Sequence, residues 1–299
     1  MEHNALKKII KSAFRRAGYE ICRTGLLPDS CQYALNVKPC FVEPVWPLPR
    51  RGLILSNEDI RRLFYAHKFW HYAYSFEGNL KFRARHCRPS ESADNPERPL
   101  RRFRHFMPYL VAANGGSLRG KRVLDIACNS GFWSIQCALL GADVVGFDAR
   151  KELIEQANLL KSIVGINNAE FRVMNFEDMN PISLDGRYDI VLNLGVLYHL
   201  PSPIEAINET LSMSRHYVLL DTAVARSELP IVSYRWEEPD DIRNTINAGI
   251  VAYPSSAAIN LILSHLGVPR YLQIPVRTRE PSCVYRQGFQ ASWLIDVST

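Results

Sequence analysis

From residue 121 onward, short apolar runs alternate with stretches whose apolar positions recur at helical spacing. Val123, Leu124 and Ile126 predict a buried strand that stops at Ala127-Cys-Asn-Ser-Gly131, small and turn-forming residues that let the backbone come close to a ligand. A helix is predicted from Phe132 to a glycine stop at Gly141, followed by a strand over 143–147 that delivers Asp148 at its carboxyl end. Leu153, Ile154, Ala157, Leu160 and Ile163 mark a second crossover helix. Phe171 opens a strand that ends in the polar cluster Asn175-Phe176-Glu177, and Tyr188 opens another that runs into a polar loop at Tyr198-His199. A helix over 203–213, a fifth strand over 216–221, a helix over 254–266 and two closing strands over 271–276 and 287–297 complete the pattern. Strands alternating with helices predict an α/β fold with a largely parallel sheet and helices on both faces.

The first third of the chain reads differently. Residues 4–18 place Leu6, Ile9, Ile10, Ala13 and Phe14 on one helical face and five basic side chains elsewhere. Such a helix could make peripheral contact with an anionic membrane surface, or pack on the rest of the protein with a solvated basic face. The proline-rich stretch 42–49 predicts an extended connector, and residues 61–88 are dense in aromatic and basic side chains. These could form a lid over a small substrate, a platform for RNA, or the core of a small helical cap. His67 and His71, one helical turn apart, could face a substrate together with Trp70 and Tyr74. Arg101, Arg102, Arg104 and His105 are expected on a solvated helix face. The division implied is a mainly helical N-terminal cap and lid over 1–98 and a ligand-binding domain over 99–299.

An acid roughly 20 residues past a tight strand-to-helix turn can grip the two hydroxyls of a ribose, so Asp148 points to a nucleoside ligand. A pyrophosphate would need glycines where this chain has Ala127, Asn129 and Phe132, and Asp125 would repel phosphate but attract a cation. The run Asp125-Ile-Ala127-Cys-Asn129-Ser-Gly131 resembles the first motif of class I S-adenosylmethionine-dependent methyltransferases, Asp-x-Gly-x-Gly-x-Gly, with two of the three glycines replaced. Gly195-Val-Leu-Tyr198-His199 with Ser202-Pro203, and the segment Trp70 to Gly78, resemble relatives of the tRNA wobble-uridine carboxymethyltransferase. The resemblance covers about residues 100–299, with specific motifs between 121 and 204. It implies a Rossmann-like seven-stranded sheet and S-adenosyl-L-methionine as cofactor. The cofactor residues it implies are Asp125, Ala127, Asn129, Gly131, Asp148, Ala149, Asn175, Phe176 and Leu194, with Asn175 taking the adenine amino group and Phe176 covering the ring.

Just past the fourth strand, at the edge where open α/β sheets place ligands, His199 is the candidate general base; capping the neighbouring helix or bonding a backbone carbonyl is its alternative role. Tyr198 is expected to border the methyl group or orient the acceptor. Arg235 and Trp236, in the insertion after the fifth strand, are further substrate candidates by fold resemblance. The His67/His71 spacing would permit a metal pair, but no third ligand is evident and no metal is expected. Seven cysteines without a Cys-x-x-Cys pair suggest neither a metal site nor a closed disulfide framework. The 47% hydrophobic content fits a globular protein, no apolar run reaches the roughly 20 residues that span a bilayer, and cytoplasmic localisation is the default expectation. A net charge of +6 is too dispersed to demand nucleic acid. The expected activity is O-methylation of a small molecule or saccharide. RNA methylation or carboxymethylation, N-methylation, and a non-catalytic regulatory role remain as alternatives.

Overall fold

Two short strands precede the main sheet. In the computed structural model, which describes residues 34–52, 55–85, 97–276 and 283–298, helix α1 (Asn57–Ala66) leads into the antiparallel hairpin β1 (Tyr74–Phe76) and β2 (Leu80–Phe82). The basic helix expected over 4–18, and with it the membrane reading, lies outside the described residues. Next come α2 (Arg98–Ala113), β3 (Arg122–Ile126), α3 (Phe132–Leu139), β4 (Asp143–Asp148), α4 (Lys151–Val164), β5 (Ala169–Val173), β6 (Tyr188–Leu194), α5 (Pro203–Ser212) and β7 (Ser214–Ala223). A two-stranded ribbon, β8 (Val232–Glu237) and β9 (Gly249–Pro254), is inserted before α6 (Ser256–His265), β10 (Arg270–Gln273), α7 (Cys283–Arg286) and β11 (Gln290–Asp296).

Seven strands form one sheet in the order β10-β11-β7-β6-β3-β4-β5. The five from β3 to β7 run parallel, while β11 is antiparallel to both β7 and β10. The period of two along each strand sends alternate residues to opposite faces. Val123, Ile190, Leu192 and Leu219 join the apolar cluster that includes Phe103, Ile135 and Leu160 of α2, α3 and α4. Leu124, Ile126, Val191 and Leu220 join the cluster with Ile207 and Leu263 of α5 and α6. The α/β architecture with helices on both faces is thus the one the pattern predicts.

The mainly helical cap differs from expectation across its described residues, which hold one helix, one hairpin and extended chain. A capping box of Ser56 and Asp59 starts α1. The helix stops before His67 because the chain folds back on itself: Trp70 stacks on Phe64 at 4.0 Å between ring centroids, and its indole N–H donates to the Phe64 carbonyl at 2.9 Å. Phe82 stacks on Phe64 at 3.8 Å, and Tyr74 and Phe76 approach it edge-on. Burying these rings in the core shared with α2 and α3 outweighs continuing the helix. His67 and His71 are therefore not one helical turn apart. The extended connector is present, clamped by Gln136, whose side-chain amide bonds both the N–H and the carbonyl of Val45.

Candidate active site

At the carboxyl ends of β3, β4 and β6 lies a cavity of about 770 Å³. The turn after β3 forms one wall. Ala127 and Asn129 have φ of 51° and 53°, and Gly131 has 77°, so left-handed backbone recurs at each of the three positions that the methyltransferase motif fills with glycine. This shape brings the Asn129 N–H to the Asp148 carboxylate at 3.0 Å, while the other carboxylate oxygen accepts the Arg150 N–H, also at 3.0 Å. Burial pushes the Asp148 carboxyl above its ordinary pKa, and the N–H donors of Arg150 and Asn129 oppose that shift.

Ala127, Asn129, Asp148, Ala149, Asn175, Phe176 and Leu194 line this cavity. Asp125 and Gly131 do not. The Asp125 side chain is buried and accepts the backbone N–H and the hydroxyl of Ser134, at 3.1 and 2.6 Å, so it fastens the first turn of α3. Desolvation raises its pKa to about 7, against the pull of the Ser134 bonds. Gly131 is a packing requirement: a Cβ there would meet the Phe171 ring at 2.8 Å and Ala157 at 3.1 Å.

Tyr198 and His199 both line the cavity, in a 3₁₀ turn just after β6. The His199 Nδ1 lies 2.6 Å from Glu237 Oε2, and the same oxygen accepts the Thr245 N–H at 2.8 Å. His199 thus meets a carboxylate rather than a backbone carbonyl. Burial alone would raise the Glu237 pKa, but its bond to His199, the nearby charge and the Thr245 N–H leave it below the ordinary value. Tyr198 packs 4.1 Å from the His199 ring and 5.5 Å from Tyr253, and burial pushes its hydroxyl up to about 12.

Of the substrate candidates, His71 lines the cavity and the others do not. Trp70 and Tyr74 are core residues at 1% exposure, and the Tyr74 hydroxyl bonds Ser130 at 2.7 Å. His67 caps α1 and lies 3.9 Å from Glu152. Arg235 stacks over the Tyr253 ring at 4.2 Å, and Trp236 is exposed on the ribbon, bonded to Glu238.

One cavity residue missed from sequence is Glu237. Period-two alternation along β8 puts it on the same face as Arg235, a signal that was present in the sequence. Arg102 is also missed. It was expected on a solvated face, but it is buried with His105, because the i, i+4 spacing to Phe106 turns it inward. Its guanidinium lines the cavity, lies 3.3 Å from Asp221 and bonds the Tyr72 hydroxyl at 3.2 Å. Asp221 further accepts from Tyr285, Gln290 and Ser292. Among the described residues no group of three or more His, Cys, Asp or Glu is arranged to hold a metal ion, and no helix is long and apolar enough to cross a membrane.

A family model described as a methyltransferase domain matches residues 95–268, more than half of the chain. The chain belongs to this methyltransferase-domain family. It is 29% identical over 165 residues to a tRNA U34 carboxymethyltransferase of Alteromonas mediterranea, covering 52% of this chain and 47% of that protein. It is 34% identical over 121 residues to a ubiquinone biosynthesis O-methyltransferase of Xanthomonas campestris pv. campestris, covering 40% and 49%. The chain spans about half the length of the curated relatives it matches. Among solved structures, the N-terminal domain of EvdMO1 with SAH bound superposes with a TM-score of 0.61 at 19% identity, over 82% of this chain and 98% of that one. The same domain in the presence of SAH and D-fucose gives 0.58 at 20% identity, over 81% and 96%. At these identities the likeness is one of fold.

Proposed function

We propose that this protein is an S-adenosylmethionine-dependent O-methyltransferase acting on a hydroxyl of a small molecule or saccharide. The donor set fits the cofactor: a buried acid with both oxygens anchored, an amide and an aromatic ring at Asn175 and Phe176, and a left-handed turn without bulky side chains. Asp148 would hold the ribose, Asn175 and Phe176 the adenine, and the Leu194 region the methionine end. When bound, the donor supplies a methyl group on a sulfonium, open to in-line displacement by a positioned acceptor.

The observation that carries the O-methyl reading is the His199–Glu237 pair. With Nδ1 held by Glu237, His199 presents Nε2 as the basic nitrogen, and this nitrogen takes the proton from the acceptor hydroxyl as the new oxygen–carbon bond forms. An amine acceptor would need less help of this kind. Tyr198, Tyr253 and Asn244 offer aromatic and amide walls suited to a polar acceptor, and D-fucose is named with the EvdMO1 domain. Of the aromatic residues that would form an RNA platform, Phe64, Trp70 and Tyr74 are buried in the core, which favours the small-molecule reading.

The test is turnover on a panel of monosaccharides and phenols. His199→Gln should lower turnover by roughly 10²–10⁴-fold while leaving donor affinity within about twofold. Undiminished turnover would remove His199 as the base.

A further inference from the structure

The carboxylate that supports His199 has a second partner. Thr245, whose N–H it accepts, belongs to the segment 238–248 that joins β8 to β9. Ile242, Asn244, Thr245 and Ile246 of this segment wall the same cavity that His199 lines. The segment is braced internally: Arg243 pairs with Asp241 at 2.6 Å, and the Asn244 side-chain amide donates to the Glu238 carbonyl at 2.8 Å. Such bracing favours motion as a unit about the ribbon.

Thr245 also reaches the donor side. Its carbonyl accepts from the Arg150 guanidinium at 3.1 Å, and the Arg150 backbone N–H holds the Asp148 carboxylate at 3.0 Å. A continuous set of contacts therefore runs from the ribose acid through Arg150, Thr245 and Glu237 to His199. Arg150 also acts on Glu237 through its charge, and among the described residues His199 and Tyr253 are further ionisable groups facing it, the latter stacked under Arg235.

We propose that the segment 238–248 is a strap whose closed position is latched by Glu237 and Arg150, so that sealing the cavity and orienting the base are one event. Arg150 is then a positioning residue: it fixes the Thr245 backbone that fixes Glu237. The proposal rests on the reading of His199 as the base, but its latch can be tested without turnover.

The experiment is NMR on the full chain, following the His199 ring nitrogens and the exchange of the Thr245 amide, with and without SAH. The expected wild-type result is a single Nδ1–H tautomer and a protected Thr245 amide. Arg150→Met should mix the tautomers and speed that exchange about tenfold or more, and Arg150→Lys should restore both. Identical tautomer and exchange in Arg150→Met and wild type would overturn the latch. Failure of SAH to bind would count against the donor reading alone, and undiminished turnover in His199→Gln against the base alone. In either case the free-protein spectra still decide the strap.

Discussion

Ala127 and Asn129 hold backbone angles that glycine adopts without steric cost, and each meets the demand differently. Ala127 has no compensating bond, whereas the Asn129 side chain accepts the Ser130 N–H at 2.8 Å. Ala127→Gly should therefore stabilise the protein by about 0.5–1 kcal/mol, the left-handed penalty less the added entropy of the unfolded chain. Asn129→Gly should gain nothing or lose, and urea unfolding of the two variants separates these outcomes. Asp125 supplies a pH-dependent prediction. Its folded pKa of about 7 lies above its unfolded value, so the folded state keeps a proton that the unfolded chain has released, and stability falls as pH rises from about 4 through 7. Asp125→Asn should remove that fall, and its stability relative to wild type should rise between pH 5 and 8 by on the order of 2–4 kcal/mol. An unchanged difference across that range would show that Asp125 is ionised in the fold. Both residues were legible as a motif, but their division of labour was not. Strand-end position identifies Asp148 and His199 as facing the cavity, whereas only packing reveals that Asp125 and Gly131 serve the turn from behind.

The elements of the sheet were legible because periods of two and 3.6 differ over every stretch long enough to repeat them. The hairpin was not, since β1 and β2 are three residues each and offer too little alternation to outweigh the helix-like spacing of His67 and His71. A turn signal was nonetheless present. Gly78 and Asn79, both left-handed, close the loop between Phe76 and Leu80. The aromatic cluster that replaces the expected cap is centred on Phe64 and Trp70, so Trp70→Ala should destabilise the protein by about 3–5 kcal/mol. Calorimetric unfolding measures this, and a loss below about 1 kcal/mol would indicate that the rings contribute surface cover rather than core. The ribbon β8 and β9 illustrates the same limit from the other side. Arg235 and Trp236 are substrate candidates by fold resemblance, yet strand pairing turns Glu237 toward His199 and leaves Trp236 exposed.

At the scale of the whole molecule, the order of the seven strands sets the carboxyl ends of β3, β4 and β6 side by side, and the turn, Asp148 and His199 converge there from segments far apart in the chain. That convergence gives the family membership a chemical meaning for this chain. In the stretch before residue 86, Phe64, Trp70, Tyr74, Phe76 and Phe82 belong to the core shared with α2 and α3, while the Lys and Arg side chains from Arg61 to Arg85 are exposed. The most direct test of the account is calorimetric titration of the full chain with S-adenosylmethionine, in parallel with Asp148→Ala. Saturable binding to the wild-type protein and its loss in the variant are expected; absence of binding to the wild type, or equal binding in the two, would overturn the assignment of Asp148 and the cavity to this cofactor.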